Sequence, residues 1–189
     1  MTNGALSDRR VLVSVGGSVA AFKACDVVTE LRRRGADVRV AMTAAAGNFV
    51  RATLMQSLSG HAVAASMWDG TATDAEHGMV HLQLAGWAEA HMVVAASADL
   101  IAKLALGLAD DVVTATALAS RAPMIVAPAM EGTMWEHPAT QANAAALMTR
   151  GCRILGPVRG RLASGKEDTG RMVEPDAIVA AIEESLGAR

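Results

Sequence analysis

The side chains able to hold a ligand or move a proton fall into a few short stretches. The longest is Ala127-Pro128-Ala129-Met130-Glu131-Gly132-Thr133-Met134-Trp135, which follows the apolar run Pro123-Met124-Ile125-Val126 and precedes a helical pattern from Pro138 to Arg150. Open α/β sheets bind ligands at the carboxyl edge, where buried strands open into loops, so this stretch reads as a loop over a bound cofactor. His81 supplies an imidazole, the side chain best suited to exchange protons near neutral pH, although a lone histidine near a helix start also serves structure. His77 lies four residues earlier, but Gly78 makes helicity there doubtful and no third ligand is evident. No metal site is expected.

Two further stretches suit a phosphate. Gly16-Gly17-Ser18 lies between a strand-like run and a helical one, so it offers backbone N–H groups and a hydroxyl at the positive end of a helix. A tight turn with Ser18 as helix cap accounts for the same residues equally well. Ser97-Ala98-Asp99 has the same placement and the same donors. Thr43 ends the second strand, where a dinucleotide fold carries an acidic residue for the ribose, and Gly-x-Gly-x-x-Gly is absent. A mononucleotide is therefore favoured over NAD.

The elements that must hold these residues alternate between strand and helix. Val11 to Val15 is a β-branched run, and Val19 to Arg34 carries apolar residues at helical spacing until Gly35 closes it. Asp37 to Met42 reads as a second strand, followed by a helix-like segment to about Ser59, and His61 to Gly78 as an irregular connection. A helix from Val80, a buried strand His91 to Ala96, helices at Leu100–Leu106 and Asp111–Ser120, and the Pro123 strand come next. Cys152 to Leu155 is a last short strand, Gly156 to Gly170 a Gly-, Arg- and Lys-rich loop, and Glu174 to Leu186 an amphipathic helix. This alternation indicates an α/β, Rossmann-like three-layer fold with a mostly parallel sheet, spanning residues 1–189 as a single domain.

Composition narrows the partners. With 52% hydrophobic residues in 189, the chain can build a substantial core. A formal charge of −2 gives no electrostatic footprint for nucleic acid or an anionic membrane. Cys25 and Cys152 sit in apolar periodic segments, where a small buried thiol is commoner than a disulfide, so a reducing compartment is expected. No apolar run reaches a membrane span and Met1 to Arg10 lacks a signal-peptide core, so the expectation is cytoplasmic.

The Pro128 loop is similar to Pro-Ala-Met-Asn-x-x-Met-Trp, a signature of the flavin-containing cysteine decarboxylases, which include phosphopantothenoylcysteine decarboxylase and the lanthipeptide decarboxylases. The resemblance extends in register from Val11 to Met172, through Val15-Gly16-Gly17-Ser18, Ala96-Ser97-Ala98-Asp99 and Leu162-Ala163-Ser164-Gly165 followed by Gly170-Arg171-Met172. It implies a homo-oligomer built from trimers, with FMN at the contact between subunits. By position it assigns Gly17, Ser18, Thr43, Ser97, Ala98 and Met130 to FMN, and His81 to catalysis. Glu131, Met134, Trp135, Ser164 and Arg171 would face a small-molecule substrate.

Two departures decide the expected reaction. Glu131 stands where the decarboxylases carry Asn, and a carboxylate beside a substrate carboxylate at 4 Å costs about 4 kcal/mol at an effective dielectric near 20. Ser164 stands where phosphopantothenoylcysteine decarboxylase carries the cysteine thought to reduce its ene-thiol intermediate. Both point away from decarboxylation, toward an FMN-dependent oxidoreductase with Glu131 as a further catalytic group. The best candidate is a dihydromethanopterin reductase with an unidentified electron donor. A phosphopantothenoylcysteine or peptidyl-cysteine decarboxylase and a non-catalytic flavin-binding subunit are the alternatives.

Overall fold

A computed structural model describes residues 5–68 and 79–187. His77 and most of the 61–78 connection lie outside the described residues. Five parallel strands form the sheet: β1 (Arg10–Val15), β2 (Asp37–Met42), β3 (Ala90–Ala96), β4 (Met124–Pro128) and β5 (Arg153–Ile154), in the order β2-β1-β3-β4-β5. Chain direction across the sheet reverses between β1 and β3, which places the topological switch point at their carboxyl ends. β1 and β3 are near-continuous apolar runs because both of their faces are covered, as a parallel sheet requires.

Alternate side chains feed two cores. Val11, Val13, Val15, Met92 and Val94 pack under α1 (Ala24–Arg33), α2 (Ala52–Ser59) and the closing helix α8 (Pro175–Gly187). Leu12, Val93 and Val126 pack under α3 (Val80–Trp87), α4 (Ala98–Leu106), α5 (Val112–Ala119) and α7 (Pro138–Thr149). The result is the three-layer arrangement expected. His91 of β3 sits among the second set, where its Nε2 lies 2.8 Å from Ser14 Oγ of β1 and its Nδ1 is buried without a partner.

Local chemistry sets the helix boundaries. Ser18, in extended backbone, caps a single 3-10 turn (Val19–Lys23) before α1, so the segment read as one helix divides in two. Ser97 caps α4, and Asp111 and Thr114 form a reciprocal capping box at the start of α5. Gly35 follows α1 with φ +94°, a conformation open to glycine at no steric cost.

Two readings of the sequence require correction. The 156–170 segment is not a plain loop: β6 (Val158–Arg161) and β7 (Glu167–Arg171) pair as an antiparallel hairpin. β6 is largely exposed, β7 is largely half-buried, and both are polar, so neither shows the alternation that marks a strand. The loop after β4 also contains a short helix, α6 (Gly132–Trp135), whose few residues lie below the reach of periodicity.

Candidate functional site

At the carboxyl edge of the sheet a cavity of about 520 Å³ is enclosed by three pieces of chain. The 3-10 turn contributes Ser18, Val19, Phe22 and Lys23, the end of β4 contributes Met130 and Glu131, and the hairpin contributes Arg161, Leu162, Arg171 and Met172. Apolar groups make its walls, while one carboxylate and three cations are placed around them.

Close backbone contact fixes the hairpin against the β4 loop. Met130 N donates to Gly170 O at 3.0 Å, and a Cβ on Gly170 would lie 2.2 Å from Met130 O. Only glycine permits that approach. Gly132 meets the Asp168 carboxylate just as closely, since a Cβ there would lie 2.1 Å from Asp168 Oδ2. On the opposite rim Glu174 accepts from Lys23 Nζ at 2.8 Å and from Arg171 Nη2 at 2.5 Å. These two cations, Lys23 first, hold the Glu174 carboxyl below its ordinary range, and the shared carboxylate ties the 3-10 turn to β7.

Glu131 is the N-cap of α6, yet its side chain makes no capping hydrogen bond. Its carboxylate therefore lines the cavity without satisfying the helix behind it. The sequence argument weighed Glu131 only against a substrate carboxylate. The fold adds Lys23, Arg161 and Arg171 to the same cavity, where Lys23 and Arg171 already share the Glu174 carboxylate and Arg161 is the third cation.

Of the residues singled out in the sequence, Ser18, Met130, Glu131 and Arg171 come together in this cavity. Gly17, Thr43, Ser97 and Ala98 share the carboxyl edge but do not line it. Gly17 packs against Ala45, and the buried Thr43 hydroxyl accepts from Ala46 N at 3.1 Å and donates to Val15 O at 3.4 Å. Ser97 Oγ accepts from Leu100 N at 3.3 Å, while helix geometry leaves the Ala98 and Asp99 amides of the first turn without intrahelical acceptors. Trp135 packs into the second core, Met134 is exposed, and Ser164 lies in the hairpin turn, accepting from Lys166 N at 3.4 Å.

His81 stands apart, on α3, with its Nδ1 buried and unpartnered. Lys23, Phe22 and Met172 line the cavity although sequence reasoning gave them no role. Met172 lay within a motif already quoted, but nothing in its spacing from Phe22 and Lys23 showed that a 3-10 turn and a hairpin would meet.

A family model described as Flavoprotein matches residues 2–187. The chain belongs to the flavoprotein family. This flavoprotein is 41% identical over 179 residues to the coenzyme A biosynthesis bifunctional protein CoaBC of Vibrio vulnificus, covering 95% of this chain and 44% of that protein. It is 42% identical over 174 residues to the same bifunctional protein of Escherichia coli, covering 92% and 42%. The flavoprotein thus spans less than half the length of these curated relatives.

Among solved structures it matches the FMN-dependent cysteine decarboxylase SpaF, with a TM-score of 0.81, 31% identity and coverage of 96% of this chain and 97% of that one. It also matches a cysteine-to-serine mutant of PPC decarboxylase complexed with pantothenoylaminoethenethiol, with a TM-score of 0.84, 28% identity and coverage of 95% and 99%. These relatives overturn the expectation of an oxidoreductase acting on dihydromethanopterin, since they are coenzyme A biosynthesis proteins and cysteine decarboxylases. The expectation rested on two residue types, Glu131 and Ser164, against a likeness that spans nearly the whole chain. Among the described residues no helix is long and apolar enough to cross a membrane.

Proposed function

We propose that this flavoprotein is an FMN-dependent decarboxylase of a small cysteine carboxylate of the pantothenoylcysteine type. The observation that carries the reading is the cavity at the carboxyl edge, where Met130 and Glu131 meet the hairpin in a chain related to cysteine decarboxylases. The residues present fit a flavin nucleotide: two strand-to-helix turns capped by Ser18 and Ser97 carry donors for its phosphate. Bound there, FMN would supply a two-electron acceptor for an oxidative decarboxylation.

The chain's own residues do the remaining work. Arg161 and Arg171 receive the substrate's anionic groups, and Glu131 lies in the same cavity, where its like charge opposes the substrate carboxylate. Val19, Phe22, Leu162 and Met172 give the cavity an apolar wall against which the substrate packs. His81 exchanges the proton, and its buried, unpartnered Nδ1 supports a role beyond packing.

His81 reaches the cavity of a second copy in a homo-oligomer built from trimers. Support comes from α3, which carries no acidic, Lys or Arg residue and leaves Leu82 53% exposed, with Leu118 of α5 62% exposed. Ser164 sets the end of the reaction. A hydroxyl cannot deliver electrons as a thiolate does, so the product is an ene-thiol. The relative with serine in place of a cysteine holds an aminoethenethiol.

Incubation of FMN-loaded protein with pantothenoylcysteine, with and without its phosphate, tests the reading by mass spectrometry. Loss of carbon dioxide together with two hydrogens supports an ene-thiol product. Loss of carbon dioxide alone refutes the role given to Ser164, and unchanged substrate refutes the decarboxylase itself.

A further inference from the structure

The carboxyl end of β3 holds a feature that the decarboxylase reading does not use. Ala95 is fully buried and adopts φ +56°, the left-handed region that L-residues other than glycine rarely enter. The pairing of β3 with β4 shifts register between Val93 and Ala96, so the chain bulges at this residue. Its N–H donates to the Sδ atom of Met172 at 3.3 Å, and Met172 is 1% exposed. On the other side a Cβ on Gly16 would lie 2.4 Å from Ala95 O, so the β1 turn is fitted to this one peptide arrangement.

Three parts of the molecule therefore meet at a single strained residue. Met172 follows β7 and lines the cavity, Gly16 opens the turn capped by Ser18, and two residues beyond Ala95 the chain reaches Ser97, the cap of α4. A buried alanine in this conformation persists only where its surroundings compensate for it. The Met172 thioether accepts from its N–H, and a buried N–H with no acceptor is unfavourable.

We propose that Met172 is a positioning residue for the cofactor: its sulfur holds the Ala95 peptide in the left-handed form and so sets the direction of the 96–98 backbone toward the FMN phosphate. The inference rests on the FMN reading above. The wall of the substrate cavity and the cradle of the cofactor thereby share one hydrogen bond.

The test uses the full chain and measures FMN affinity by quenching of flavin fluorescence, with wild type measured first. Met172→Leu conserves volume and removes the acceptor. It should weaken FMN binding about tenfold, equivalent to roughly 1.4 kcal/mol. Ala95→Gly in the same chain should restore most of that affinity, because glycine holds φ near +56° without the sulfur. Amide exchange of the peptide containing Ala95, followed by mass spectrometry on cofactor-free protein, should accelerate in Met172→Leu and reports on the bond independently of flavin.

Unchanged FMN affinity in Met172→Leu, or a loss that Ala95→Gly fails to rescue, would reduce Met172 to core packing and overturn the proposal. A wild type that binds no FMN would overturn the reading beneath it, and the first measurement separates that outcome from the others.

Discussion

Lowering the pH through 6.5 should destabilise the fold, with His91 a principal contributor. Its imidazole is wholly buried in the middle of the sheet, and burial pushes its pKa from 6.5 down to about 4. The folded state therefore resists a proton that the unfolded chain accepts. Stability from this group is fully present above pH 6.5, is lost as pH falls through the interval toward 4, and is gone below both values. At about 1.36 kcal/mol for each pH unit between the two values, the loss is roughly 3 kcal/mol. That is a large share of the ~5–15 kcal/mol that typically holds a domain together.

Urea unfolding at a fixed protein concentration, at closely spaced pH values from 8 to 4, measures the loss directly. The control is His91→Gln, which offers Ser14 a hydrogen-bonding partner in place of the 2.8 Å contact but does not titrate. The variant is expected to start less stable because the side-chain shape changes, yet to lack the His91 contribution to the slope between pH 6.5 and 4. Parallel curves for wild type and variant would refute the assignment and place the acid sensitivity elsewhere.

Substituting Glu131→Asn should raise kcat/KM for a cysteine carboxylate on the order of tenfold, because it removes a like charge that the neighbouring cations only partly offset; steady-state kinetics checks this, and a fall would show that Glu131 binds the substrate rather than opposing it. Gly170→Ala forces a methyl to within 2.2 Å of Met130 O. The hairpin should separate from the β4 loop, with a loss of about 1–3 kcal/mol in stability and a raised KM, measured by urea unfolding and initial rates.

Much of the fold was legible because its signals are local. The apolar runs of β1 and β3, the serine caps before the 3-10 turn and α4, and Gly35 after α1 each carry a physical reason within a few residues. The hairpin was not legible, since Val158–Arg161 and Glu167–Arg171 pair through backbone while their side chains remain polar. The same holds for the cavity. Residue type identified Glu131 and Arg171, but that Lys23, more than a hundred residues away, lines the same cavity and shares Glu174 with Arg171 depends on the tertiary structure.

That distance also explains the misreading of the chemistry. Glu131 in isolation argues against an anionic substrate, and the tertiary structure changes its surroundings without changing the residue. His81 shows the converse. Its residue type drew attention at once, yet its position on α3 puts it on the opposite side of the sheet from α1 and α8. Under the proposed function its part in the reaction is played across a contact with a second copy of the chain.

The most direct measurement is release of labelled carbon dioxide from pantothenoylcysteine carrying ¹³C in its carboxylate, catalysed by the FMN-loaded protein in air. The account predicts labelled carbon dioxide in proportion to substrate consumed, over many turnovers. Substrate recovered with its label intact, from protein shown by its visible spectrum to carry FMN, would contradict it.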